Sequence, residues 1–194
     1  MTLPLPESSG AEVHVLFEGY VGEHTASTVG LLRDGDAAIV WDPGMVPSQG
    51  VILEPLRRHG VEPEDVTDVV LSHHHPDHTM NVGLFPGARV HDHWAWYRGD
   101  LWVNRDAQGF DVSPSVRLAR TPGHTADCLT VLAGTGEGLV ALTHLWWSAE
   151  APPEDPYAVD LEALHASRAA VLDVADAVVP GHGAMFRPDA ATPR

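Results

Sequence analysis

His73, His75, Asp77 and His78 fall within six consecutive positions of the run Ser72-His73-His74-His75-Pro76-Asp77-His78, and no other stretch of the chain narrows the chemistry as far. Imidazole nitrogen and carboxylate oxygen are donors that suit zinc, iron or manganese. In a strand or extended turn His73, His75 and Asp77 share a parity and project to one side, with His78 pointing elsewhere. That geometry can serve two adjacent metals. A histidine run is also what an affinity tag looks like, but tags lie at termini and this run is internal. The segment before it, Val66 to Leu71, is rich in β-branched residues and reads as a buried strand. The cluster therefore sits at a strand's carboxyl end, the edge where ligands bind in α/β folds.

Two further histidines stand where loops meet strands: His124 in Thr121-Pro122-Gly123-His124-Thr125 and His182 in Pro180-Gly181-His182-Gly183. Each alone is more often a solvated turn residue; taken with the cluster, their placement points to one centre. An acidic turn, Asp42-Pro43-Gly44, follows another strand-like segment.

The elements that must position these residues are short. Val13 to Phe17, Thr28 to Leu32 and Ala37 to Trp41 have strand composition and are divided by turn residues, so the opening third reads as antiparallel β structure. Val51 to His59 shows near-helical apolar spacing despite Pro55, with Gly60 as its stop. A helix start is expected near Thr79 and a strand around Ala88 to Val90, followed by an aromatic region. Val116 to Ala119, Leu129 to Ala133 and Leu139 to Leu145 read as strands, the last two joined by a Gly134-Thr135-Gly136 turn. Asp160 is a good cap for a helix running to Asp173, and Val178-Val179 makes a last short strand. Strands followed by helix recur in each half, which suits two packed sheets with helices outside.

The 194 residues fit a single domain with a substantial core, and 44% hydrophobic residues with mixed charges place the chain among soluble globular proteins. No apolar run approaches the roughly 18 residues needed to span a membrane, and residues 1–10 make a poor export signal, so a cytoplasmic protein is expected. The formal net charge of −16 repels nucleic acid at long range. Nucleic acid is thus disfavoured as a partner, no membrane is expected, and a small-molecule substrate is favoured. Cys128 is the only cysteine, which excludes an intrachain disulfide and a thiolate metal cluster; its neighbours suggest a small core thiol.

Together these motifs resemble the metallo-β-lactamase superfamily, over about residues 26–187. The early acidic motif corresponds to Asp42-Pro43-Gly44, the histidine cluster to His73, His75, Asp77 and His78, and the later ligands to His124 and His182. Gly83 to Gly87 and the ending through Val179-Pro180-Gly181-His182-Gly183 are similar to one group within it. The resemblance implies an α/β fold, the four-layer αββα sandwich, with a two-metal site at one edge of the paired sheets. It implies that His73, His75 and His124 hold the first metal and that Asp77, His78 and His182 hold the second, with Asp42 steadying a ligand histidine.

One position departs from the family. Where an aspartate usually bridges both ions, this chain has His144, and a neutral imidazole has one free lone pair and cannot bridge in that manner. His144 is expected to be a terminal ligand; single-metal occupancy and a His144 turned away as acid, base or substrate contact are the other outcomes. The nitrogen-rich set favours two divalent ions, zinc first, with iron or manganese as competitors. The resulting reading is a metal-dependent hydrolase using a metal-bound hydroxide on a small ester, thioester, lactone or amide, with Asp77 orienting the water. An iron-dependent oxidoreductase of the same fold, a metal-dependent ribonuclease and a metal-binding scaffold without turnover are the alternatives. Six tryptophans are a surplus, and Trp146 or Trp147 is expected to line an apolar pocket beside His144. His91 and His93 are expected at the surface or in the pocket, not as ligands. The exposed tryptophans and Pro152-Pro153 are candidates for a homodimer contact.

Overall fold

The computed structural model describes residues 2–194. Among the described residues, twelve strands and three α-helices follow one another. The strands are β1 Glu12–Phe17, β2 Val29–Asp34, β3 Ala37–Trp41, β4 Asp68–Val70, β5 Arg89–His91, β6 Ala95–Arg98, β7 Leu101–Asn104, β8 Asp111–Ser113, β9 Val116–Arg120, β10 Leu129–Thr135, β11 Gly138–Thr143 and β12 Ala177–Val179. The helices are α1 Gly50–Arg58, α2 Pro76–Thr79 and α3 Leu161–Leu172. Strands β1 to β7 form one sheet in sequence order; the other runs β12-β11-β10-β9-β8. Pairing is antiparallel except for β3-β4, β4-β5 and β11-β12.

Side-chain alternation builds the layers. Ile39 and Trp41 of β3 face inward to meet Leu118, Leu129, Val131 and Leu142 of the second sheet, while Ala38 and Val40 face out beneath Ile52 and Leu56 of α1. In β11 Leu142 faces in and Ala141 faces out, under Leu164 and Val171 of α3. The result is the expected αββα sandwich. Ile52, Leu56, Leu164 and Val171 are fully buried, each contributing roughly 1.5–3 kcal/mol by leaving water. Asp160 caps α3 as expected, accepting from the Ala163 N–H at 2.9 Å, an interaction of ~1 kcal/mol.

Two local expectations are corrected. The helix after the histidine cluster does not begin near Thr79 but ends there: Pro76 occupies its first turn, where a missing N–H costs nothing and φ is already helical. Asp77 and His78 therefore sit on a helical turn. The aromatic region is a β-hairpin, β6-β7, at the open edge of the larger sheet.

The topology gathers the loops. Because β3 and β4 are parallel, as are β11 and β12, and β9 runs with β11 across the antiparallel β10, the segments holding Asp42, His73, His124, His144 and His182 all leave the carboxyl ends of strands. No helix among the described residues is long and apolar enough to cross a membrane.

Candidate metal centre

The site begins at Asp42, a fully buried carboxylate with φ of 45° at the end of β3. Its Oδ1 accepts the Ser72 backbone N–H at 2.6 Å and its Oδ2 accepts from His78 Nδ1 at 2.7 Å, so one side chain ties the exits of β3 and β4 to α2. Gly44 completes the turn because nothing larger fits: a β-carbon there would lie 1.7 Å from the Asp77 carbonyl oxygen. Pressed against this turn, α2 directs His78 into the centre, contrary to the extended-turn expectation that it would point elsewhere.

All seven candidate donors come together. His73 Nε2 and His124 Nε2 lie 2.9 and 3.2 Å from His75 Nδ1. Asp77 Oδ2 is 3.3 Å from His78 Nε2 and 3.5 Å from His182 Nε2. In each of these two triads, and in a third of His73, His78 and His144, donor atoms lie within 4.8 Å of one another.

Whether these residues fit a metal is decided by their outer nitrogens. His78 Nδ1 donates to Asp42, His124 Nδ1 to Asp155 Oδ2 at 2.7 Å, and His182 Nδ1 to the Ala26 carbonyl at 2.9 Å. These partners can only accept, so each ring's proton is directed outward and its Nε2 faces the centre. This is how protein partners orient metal-binding imidazoles. Buried nitrogens gathered face to face are repulsive without a proton or cation between them, so the donor set fits divalent ions.

The titration shifts follow the same crowding. His73 and His144 are held well below the usual histidine range, by burial first and then by neighbouring imidazolium charge. His182 is lowered to about 4 by burial and by His78. His78 goes the other way: burial would lower it, but the charge and hydrogen bond of Asp42 raise it to about 9. Asp77 is lowered to about 2; burial opposes this, and the His78 hydrogen bond and charge outweigh it.

His144 does not turn away. Its ring lies 4.3 to 5.1 Å from those of His124, His73, His78 and His182; Nε2 is 3.1 Å from His182 Nε2 and the buried Nδ1 has no hydrogen-bond partner.

Above the donors opens a cavity of about 500 Å³ lined by His75, Asp77, His124, His144 and His182, with Val21, Trp147 and Tyr157 among its walls. The tryptophan expectation holds for Trp147. Trp146 instead is fully buried behind the site, against Phe186 and the Arg168 guanidinium, its Nε1 donating to the Pro193 carbonyl. His91 is corrected too: it is fully buried, with Nε2 2.7 Å from Asp68 Oδ1. Cys128 is a buried thiol beside Thr125, pushed up to about 12 by burial.

Two carboxylates were not anticipated. Asp155, only 4% exposed, holds His124 and also accepts the Tyr157 N–H at 2.9 Å. Asp92 takes His74 Nε2 at 3.1 Å and the Tyr97 hydroxyl at 2.7 Å, anchoring the middle of the histidine run. Both lie far along the chain from the histidines they hold, and no local pattern marks them.

Two sheets between helices, with imidazoles gathered at the carboxyl ends of their strands, define the metallo-β-lactamase fold. The model of the metallo-beta-lactamase superfamily matches residues 23–183, and the chain belongs to that superfamily. It is 33% identical over 203 positions to Metallo-beta-lactamase domain-containing protein 1 of Xenopus laevis, covering 96% of this chain and 87% of that protein. The Homo sapiens protein of the same name is 36% identical over 157 positions, covering 77% of this chain and 59% of its own length. The chain spans 59% to 62% of the mammalian relatives it matches. Among solved structures, a metallo-beta-lactamase-like protein of Thermotoga maritima superposes with a TM-score of 0.72 at 23% identity, covering 92% of this chain and all of that one. TTHA1623 in a di-iron-bound form gives 0.67 at 20% identity, covering 91% of this chain and 98% of its own. These two share the fold.

Proposed function

We propose that this chain is a metal-dependent hydrolase acting on a small ester, thioester, lactone or amide, with His73, His75 and His124 holding one divalent ion and Asp77, His78 and His182 a second. The observation that carries the reading is the paired triads whose outer nitrogens are fixed on Asp42, Asp155 and the Ala26 carbonyl. When bound, such ions lower the pKa of water from about 15.7 to about 7 and polarise a carbonyl oxygen.

The chain's own residues do the rest. Asp77, ionised at neutral pH and facing the cavity, accepts a hydrogen bond from the attacking water and orients it. His144 sits between the triads as a nitrogen donor in place of a bridging carboxylate. Its single free lone pair would serve one ion, as a terminal ligand. Zinc suits this nitrogen-rich set better than magnesium or calcium. A dizinc centre has a parallel in AidC, a dizinc quorum-quenching lactonase that superposes with a TM-score of 0.61 at 19% identity, covering 87% of this chain and 79% of that one.

The test is a panel of neutral esters, thioesters, lactones and amides offered to chelator-stripped protein and to the same protein reloaded with zinc, iron or manganese. Turnover restored by zinc supports the reading; oxygen consumption restored only by iron favours the oxidoreductase; no turnover with any metal contradicts it.

A further inference from the structure

Beyond the donors, the cavity wall has a chemical character of its own. The rings of Trp147 and Tyr157 stack at 5.6 Å with planes 24° apart, and Val21, 47% exposed, stands among the same lining. Apart from the donor residues, Thr25 is the only lining side chain that carries a polar group besides the two aromatic tips. The described lining contains no cationic side chain. The chain has no lysine at all. Arg168, packed behind the site against Trp146, is buried among the Leu145 and Pro153 carbonyls. The adjoining depression, which shares Thr25, adds Glu23 and His24 and neither lysine nor arginine.

An anionic tail held against this wall, away from the donor cluster, would meet no lysine or arginine and would face an acidic protein. An apolar tail would find a preformed aromatic wall, the usual composition of a small-molecule pocket. Resting on the hydrolase reading, we propose that the substrate carries an uncharged apolar group, an acyl chain or aromatic ring, next to the scissile carbonyl, and that Trp147 and Tyr157 select it. For an ester, the water oxygen bonds to the carbonyl carbon, the bond to the alcohol oxygen breaks, and the alcohol leaves with a proton. The apolar group takes no part in these steps and sets only their specificity.

The wall is built into the site. Asp155 receives both the His124 ring and the Tyr157 N–H, and Tyr157 in turn stacks on Trp147. One buried carboxylate thus couples a donor histidine to the surface that selects the substrate.

The test uses zinc-loaded full-length protein and straight-chain acyl esters of one alcohol, from acetyl to octanoyl, with a carboxylate-tipped counterpart of the longest. The expected result is a kcat/KM that climbs at least about tenfold along the series, as apolar pockets discriminate added methylenes, and a carboxylate tip that cancels the gain. Trp147→Ala should flatten the series and Trp147→Phe should keep most of it. A flat series in the unmodified protein, or a carboxylate-tipped ester used as well as the apolar one, overturns the proposal. If none of these esters is turned over, the wall is tested separately by fluorescence with 2-decanone; the hydrolase reading fails only if the thioesters, lactones and amides are inert as well. Saturable quenching that Trp147→Phe abolishes, and that decanoate does not reproduce, supports the apolar subsite; absence of quenching overturns it.

Discussion

A β-carbon on Gly181 would fall 2.3 Å from Cδ2 of His144, so the glycine after Pro180 leaves the room that the imidazole occupies. Gly181→Ala must push the ring off its position among the other four histidines. The expected outcome is a metal affinity reduced by roughly tenfold or more, the size of effect seen when ligand supports are disturbed, at a stability cost of about 1–3 kcal/mol for overpacking. Competition against a chelator measures the first and urea unfolding the second. His144→Ala should likewise lose metal, whereas His144→Asp should retain two ions, since a carboxylate can reach both. Unchanged metal content and activity in His144→Ala would remove this residue from the centre.

Asp42 is expected to matter before any metal binds. Its carboxylate satisfies the Ser72 N–H and His78 Nδ1 in a site closed to water. Asp42→Ala strands both donors and removes the partner of a buried imidazolium, so the chelator-treated protein should lose about 3–5 kcal/mol. Asp42→Asn retains one acceptor and should lose less. Urea midpoints of the two variants give the order, and equal losses would contradict it.

The metal-free protein should weaken as pH falls from about 6.5 toward about 4. A histidine lowered below its unfolded value of about 6.5 takes up its proton more readily in the unfolded chain, so stability is intact above that value and is lost as pH falls through the folded pKa. His182, lowered to about 4, supplies on the order of 3 kcal/mol of this dependence, and His73 and His144 add to it in the same direction. His78 is opposite in sign: raised to about 9, its contribution is present below 6.5 and is lost as pH rises through 9. A denaturant midpoint measured against pH in the presence of chelator should therefore peak between these limbs. Constant stability from about pH 4 to about 6.5 would contradict the crowding of imidazoles as its cause.

Asp155→Asn should separate the two duties of that carboxylate. An amide presenting its oxygen to the His124 Nδ1–H preserves the ring's orientation but weakens the hydrogen bond. Metal affinity is expected to fall by about 10–100-fold, with a parallel loss of chain-length preference as Tyr157 and Trp147 loosen. Loss of preference without loss of metal would show that Asp155 serves only the wall.

Many of the strands and the side chains that the fold gathers were legible in the sequence because their signals are local: β-branched runs at Val69 and Val70, histidines in Pro-Gly turns at 124 and 182, the Asp-Pro-Gly turn at 42. What escaped was set by contacts between distant segments. The inward turn of His78 depends on Pro76 starting a helix and on Asp42, 36 positions earlier, receiving its ring. Asp155 lies in a proline-rich loop that Arg168 pins through the Pro153 carbonyl, and nothing near it in sequence announces His124 as its partner. Trp146 and Trp147 are neighbours of one composition, yet the exit from β11 sends the first to the core and the second to the cavity.

The central claim is that seven side chains carried on the exits of four strands, β4, β9, β11 and β12, form one inorganic centre, and elemental analysis of the purified, metal-replete protein addresses it most directly, paired with His73→Ala and His182→Ala. Two divalent ions per chain are expected in the parent and about one in each variant. A parent chain that retains none, or variants that keep both, would contradict it.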